Sequence, residues 1–249
     1  VAITLIGSTG GAGAINGGTL TTTIPVTVLS NDVVVAACCQ GTAVTGLFGV
    51  TSSSGGPFTQ ALSSVFASTS ALVKLGVWWI QSSGQSLTQV VTSGTGGSSD
   101  TTNCVVMVFR NVSTAAPLDG VTGTTSNGAG TTPDSPSITP GGLSANGVLP
   151  YMVISAFAAG IQDATVTQPT SWALSGNCNA TDNRPSTVCA ATVTIVSTAA
   201  FDPAAWSGLT SASWASATVL LRPDIDFGWK LEPHNVPDYS RYYDGIVGY

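Results

Sequence analysis

Charge is what this sequence has least of. Its 249 residues carry 6 basic and 12 acidic side chains and a single histidine, where roughly a quarter of an ordinary soluble chain is charged. With a formal net charge of −6, nothing in it can neutralise a row of phosphates, which excludes nucleic acid as a partner. No apolar run reaches the ~18 residues of a membrane-crossing helix, so no membrane partner is expected. No basic stretch followed by an apolar one opens the chain, so a signal peptide is expected to be absent or already removed. Metal chemistry is equally short of means. No two cysteines stand in CxxC spacing and the only histidine is His234, whereas a zinc site needs clustered Cys and His ligands. The D-x-[DN]-x-[DN]-G pattern of a calcium loop is missing too. No cofactor is expected.

Catalytic constellations are also missing. A general acid–base pair needs two carboxylates, or a histidine, in a shared pocket. Seven acids are spread thinly over residues 1–222, as Asp32, Asp100, Asp119, Asp134, Asp163, Asp182 and Asp202, in settings where Asp is an ordinary turn former. There is no GxSxG elbow, and His234 lies far along in a proline-rich tail. Asp224 and Asp226 alternate and read as a solvated pair. The Gly-rich stretch Gly7–Gly18 has no lysine after its glycines, so it reads as a flexible loop rather than a phosphate cradle. The expectation is a protein that is not an enzyme.

Ser, Thr, Gly, Ala and Val take the places that Lys and Glu usually fill. That composition favours sheet over helix, and low surface charge suits a protein that lives assembled with partners. The organising stretch is Asp32–Cys39, DVVVAACC. A valine-rich run bounded by turn residues predicts a strand buried on both faces or at the centre of a sheet. It has an echo in Val148–Ala158, VLPYMVISAFA, and two such strands in two halves predict two sheets sharing one core. Further strands are expected over Val1–Ile6, Thr21–Leu29, Gly46–Thr51, Phe58–Ala67, Leu72–Ile80, Ser86–Thr92, Thr102–Arg110, Trp172–Gly176, Val188–Ser197 and Ser213–Leu221. Pro25 should confine its strand to an edge or a bulge. Asn111–Pro136 is polar and too long for a tight turn, so it reads as a long loop. The sum is an all-β, jelly-roll-like antiparallel sandwich of about twelve strands over residues 1–222.

The five cysteines are an odd number. Cys38 and Cys39 are adjacent in a strand, so they point to opposite faces, and with Cys104 they read as small buried hydrophobes. Cys178 and Cys189 flank a polar loop and are the candidate disulfide across a hairpin. Trp78 reads as sandwich core, with a sugar-stacking platform as the alternative. Asn111 and Asn179 head glycosylation sequons, which a Ser/Thr-rich chain acquires by chance.

Composition changes at Arg222-Pro223. Residues 223–249 hold 5 of the 12 acids and 2 of the 6 bases, with Phe227, Trp229, Tyr239, Tyr242, Tyr243 and Tyr249. Pro223, Pro233 and Pro237 forbid a long helix or a central strand. Extended, this segment reaches on the order of 90 Å at ~3.3 Å per residue. Its aromatics fit an arm that binds a groove on another chain; the alternative is a strap folded back on its own domain.

Three features together resemble a family of jelly-roll domains found in virion proteins of tailed bacteriophages and in some bacterial surface proteins. They are the paired openings Asn31-Asp32-Val33-Val34-Val35-Ala36 and Asn146-Gly147-Val148 to Ala156; Val77-Trp78-Trp79-Ile80 followed by Ser82-Ser83-Gly84; and Trp214 to Leu221 with its Arg222-Pro223 stop. The likeness covers about residues 20–223. It departs from the pattern in the adjacent cysteines and in Gly46-Leu47-Phe48, where a Trp is wanting. The resemblance implies a structural role on a virion, first as a capsid decoration or cement protein. Its expected partners are the major capsid protein and neighbouring copies of itself, with trimers common among such decorations. A tail or fibre component is the second reading. A carbohydrate-binding module stacking sugars on Trp78, Trp172 or Trp206 is the third. The family offers no catalytic residue to transfer.

Overall fold

The computed structural model describes residues 2–14, 19–41, 49–54, 56–62, 66–67, 73–93, 101–119, 124–141, 150–162, 165–180 and 185–224. Every regular element among them is a strand. The first half holds β1 (Thr4–Ala14), β2 (Thr19–Thr23), β3 (Val33–Gly41), β4 (Gly49–Ser52), β5 (Thr59–Gln60), β6 (Phe66–Ala67), β7 (Val73–Gln81), β8 (Gln89–Ser93) and β9 (Thr101–Arg110). The second holds β10 (Thr124–Gly130), β11 (Pro150–Ala159), β12 (Ala173–Ala180), β13 (Ser186–Val196) and β14 (Ala212–Leu221). All pairings are antiparallel, and the molecule is an all-β sandwich.

Three sheets lie in layers. The first runs β1-β9-β3-β7-β5, with β6 also on β7; the second runs β10-β14-β11-β13-β12; the third is β2-β8-β4. Strand β3 explains the layering. All nine of its residues are buried, and successive side chains point to opposite faces. Val33, Val35, Ala37 and Cys39 face the second sheet, where they meet Met152, Ile154, Ala156 and Ala158 of β11 in one core. Val34, Ala36 and Cys38 face the third sheet and pack with Leu20, Val50 and Val90. The two central strands thus share a core as the sequence predicts, and Cys38 and Cys39 part to opposite faces.

The outer face of the second sheet has its own core. Tyr151, Val153, Phe157 and Ala159 pack under Ile138, Val166, Trp172, Trp206 and Leu209. The covering layer is made of connections, held by the isolated bridges Ile138↔Phe201 and Thr167↔Ser207.

The two halves repeat one plan. Leaving the third sheet aside, the strands of each half follow the same spatial order: first, fifth, second, fourth, third in chain order. The third sheet is built from the β1–β3, β7–β9 and β3–β5 connections, in that order across the sheet. The corresponding connections of the second half, carrying Ile138, then Phe201 and Ser207, then Thr167, pair in the same order. The segments that follow the two closing strands, β9 and β14, pair with one another at Val112↔Pro223.

Four expectations need correction. The glycine-rich stretch is strand as far as Ala14, not loop from Gly7. A Cβ at Gly7, Gly10 or Gly11 would collide with Val26, Cys178 or Thr22, so the glycines admit neighbouring side chains against a paired backbone. Asn111–Pro136 is not one loop: it contains β10, which pairs with β14 from Thr124↔Thr218 to Gly130↔Ala212. Of the strand foreseen at Phe58–Ala67, the described residues form two strands of two residues each, β5 and β6, on β7. The strand around Pro25 stops at Thr23, before the proline that cannot donate to the ladder.

Candidate functional site

The aromatic residues Phe227, Trp229, Tyr239, Tyr242, Tyr243 and Tyr249 lie outside the described residues. What is described is the point from which that segment departs. After β14 the chain is fastened by Arg222 N–H to the Pro117 carbonyl at 2.9 Å, Ser113 N–H to the Arg222 carbonyl at 2.8 Å and Asp224 N–H to the Asn111 carbonyl at 2.8 Å. Asp224 is therefore held beside the end of β9.

That place is organised by the Asp32–Arg110 pair. The turn before β3 puts Asn31 at φ 71°, a left-handed conformation that Asn tolerates better than most residues. Asp32, 1% exposed, accepts the Leu29 N–H at 2.8 Å through Oδ2. The last residue of β9 reaches it with both arms of its guanidinium, Nε to Oδ1 at 2.9 Å and Nη2 to Oδ2 at 2.8 Å. The bond to Asp32 pushes the Arg110 guanidinium further up from its already high range. Bidentate geometry of this kind fixes orientation as well as charge. In so charge-poor a chain the pair clamps the start of β3 to the end of β9.

Replacing Asp32 with Ala removes three hydrogen bonds, two of them to a cation. Because the Arg110 side chain is 39% exposed, water compensates part of the loss. The expected cost is about 2 kcal/mol, read as a fall in the urea midpoint with the slope unchanged.

A cavity of about 270 Å³ opens here, lined by Leu29, Asn31, Asp32, Arg110, Asn111 and Asp224 among others. The preceding residues of the same segment line a second hollow of about 440 Å³, with Ile24, Pro25, Val26, Val28 and Leu87 as its apolar members. Leu29, between the two, is 50% exposed. The first hollow carries the Asp32–Arg110 pair beside Asp224, and the second offers aliphatic walls. Among the described residues no three of His, Cys, Asp and Glu are grouped as a metal would require.

The other candidate residues fall elsewhere. Trp78, Trp172 and Trp206 are 3%, 8% and 0% exposed, so none presents a ring face on which a sugar could stack. Cys178 and Cys189 are not joined, and no disulfide occurs among the five cysteines. The reason is register. Cys178 lies opposite Val188 and Cys189 opposite Asn177, so the two side chains point to opposite faces of the sheet. Cys178 is in the central core and Cys189 in the outer one.

The Asp32–Arg110 clamp was not foreseen. The available signal was one charge at an end of each of two long apolar runs, Asp32 before the first and Arg110 after the second, in a charge-poor sequence. Comparison with protein-family models, curated proteins and solved structures finds no match.

Proposed function

We propose that this chain is a non-enzymatic structural protein of a bacteriophage virion, most readily a capsid decoration or cement protein. In this reading the sandwich sits on the shell and residues 225–249 bind the major capsid protein or neighbouring copies. The supporting observation is the strand plan. Numbered by position in the first half, with β5 and β6 together as the fifth, one sheet runs first, eighth, third, sixth, fifth and the other second, seventh, fourth. The placing of the other seven strands supports a jelly-roll-like reading, with the fifth strand beside the sixth in the larger sheet instead of beside the fourth, and the second half repeats the larger sheet's order with connections in place of the smaller sheet. The tethered exit at Arg222–Asp224 adds a rigid base from which an aromatic arm can reach a neighbour.

Association would rest on burying the arm's aromatics at roughly 25 cal/mol per Å² of apolar surface, offset by the cost of ordering the segment. The test is a chain ending at Asp224. It should stay folded, with the melting temperature of the full chain, and no longer join the particle. Normal assembly of the truncated chain would remove the arm's role. Copy number then places the protein: hundreds per particle fit a shell decoration, a few to tens fit a tail or fibre component.

A further inference from the structure

Cys38 of β3 and Cys104 of β9 stand directly opposite one another. Opposed residues in an antiparallel pair have Cα atoms about 4.5 or 5.5 Å apart, and both spacings fall within the ~4.4–6.8 Å that a disulfide spans. The two Sγ atoms are 2.9 Å apart, closer than unbonded sulfurs pack. The row continues outward to glycine on both sides, Gly11 opposite Cys104 and Gly76 opposite Cys38. A Cβ at Gly11 would strike Thr22 and one at Gly76 would strike the Trp78 ring, so those side chains cover the row. Thr92 Oγ1 lies 3.4 Å from Cys38 Sγ. Both cysteines are 0% exposed. The arrangement is a sealed dithiol with room for no third group.

We propose that Cys38 and Cys104 are a disulfide site, closed when the chain folds in the presence of a small-molecule disulfide such as oxidised glutathione. While β3 and β9 are still accessible, one cysteine thiolate attacks the small disulfide, forming a mixed disulfide and releasing one glutathione thiolate. The second cysteine thiolate then attacks the protein sulfur of that mixed disulfide and releases the second glutathione. Two protein thiols lose two electrons and two protons, and the small disulfide becomes two thiols. Closure of the third sheet over the pair then shields the bond from reductants. None of this depends on the virion reading.

The other cysteines are poorly placed to compete. Cys39 points to the opposite face of β3. Cys178 approaches the backbone carbonyl of Cys104 at 3.4 Å rather than its sulfur. Cys189 is in the outer core.

The full chain is unfolded in denaturant with reductant, then refolded either in reductant or in a glutathione redox buffer. Refolding in glutathione should remove two of the five thiols counted in denaturant and lower the mass by two hydrogens. Protease mapping should recover one linked pair, containing Cys38 and Cys104. A cross-link spanning 66 residues should raise the melting temperature by about 10 °C over the reduced chain. The C38A/C104A double variant should keep its three thiols and show no oxidation-dependent shift. Five thiols after refolding in glutathione, or a linked pair that includes any other cysteine, overturns the proposal. The mapping on the unmodified chain decides the matter even where the variant does not fold.

Discussion

Trp206→Ala should lower the stability by about 4 kcal/mol, the range for emptying a buried aromatic site. Trp206 is fully buried and belongs to the layer of connections over the second sheet, where few backbone ladders hold the chain. Its ring meets Phe157 edge-on at 4.9 Å and 63°, a geometry that aromatic pairs favour. Its Nε1–H donates to Ser155 Oγ at 2.9 Å, and Ser155 shares a second bond with Ser135 Oγ at 2.7 Å. Its backbone N–H reaches the Pro133 carbonyl at 2.9 Å. One side chain thus ties the 131–141 and 197–211 connections to β11. Truncation leaves a cavity lined by Phe157 and the sheet, and an unpaired hydrogen-bond position on Ser155. For a chain of this size the melting temperature should fall by about 10 °C. Trp206→Phe should cost about half as much, since it restores much of the volume. Limited proteolysis should cut the alanine variant first within 197–211, because segments with few ladder bonds open at lower free energy. A loss below about 1 kcal/mol would mean that this layer is a surface cover and not a third core.

The sandwich was legible where hydrophobic pattern and turn residues agree. Asp32–Cys39 and Val148–Ala158 announced central strands because a run without alternation has to be buried on both faces, and β3 and β11 are. Pro25 pointed to an edge, and β2 is an edge strand, but the strand expected to run through the proline to Leu29 ends at Thr23. The pattern failed where small residues carry the strand. In β1 and β10 glycine, serine and threonine give no alternation to read. Their place is set by partners far along the chain, Gly10 by Cys178 and Gly128 by Trp214. Phe58–Ala67 erred in the other direction, since alternation was present but the described residues pair with β7 only as the two-residue strands β5 and β6.

Site residues were harder still. Asp32 and Arg110 are 78 positions apart, and Cys38 and Cys104 are 66 apart. Both contacts follow from a single fact, the register of β3 on β9, which spacing in sequence does not encode. The same ignorance of register made Cys178 and Cys189 look like partners, although a hairpin of the actual register sends them to opposite sides. The repeated strand order was equally hidden, because the halves share topology while one covers its sheet with strands and the other with connections.

Raising the pH should destabilise the reduced chain steeply from about pH 9. Burial pushes the Cys39 thiol up to about 12, against the lowering influence of its Ser186 and Asn103 neighbours. Burial also pushes Cys178 up to about 12, and the nearby Cys38 adds to it. In the unfolded chain both thiols ionise near their ordinary ~8.5. A group whose folded value is raised contributes stability that is complete below its unfolded value and is lost as pH climbs towards the folded one. The window is therefore roughly pH 8.5 to 12. Each thiol removes up to about 1.4 kcal/mol per pH unit within it, and half of that at pH 8.5 itself, so the two together remove about 3 kcal/mol between pH 8.5 and pH 10. That is a large share of the ~5–15 kcal/mol that holds a typical domain together. Tyr151, raised by burial and by the charge of Asp119, steepens the loss above pH 10. Urea midpoints at pH 7.5, 9 and 10 in reductant test this against the C39A/C178A variant. The variant should start lower, because two buried sulfurs are gone, and then fall more gently, so that the two curves converge. Parallel curves would show that these thiols ionise as readily inside the sandwich as in the unfolded chain, and that the core around them admits water.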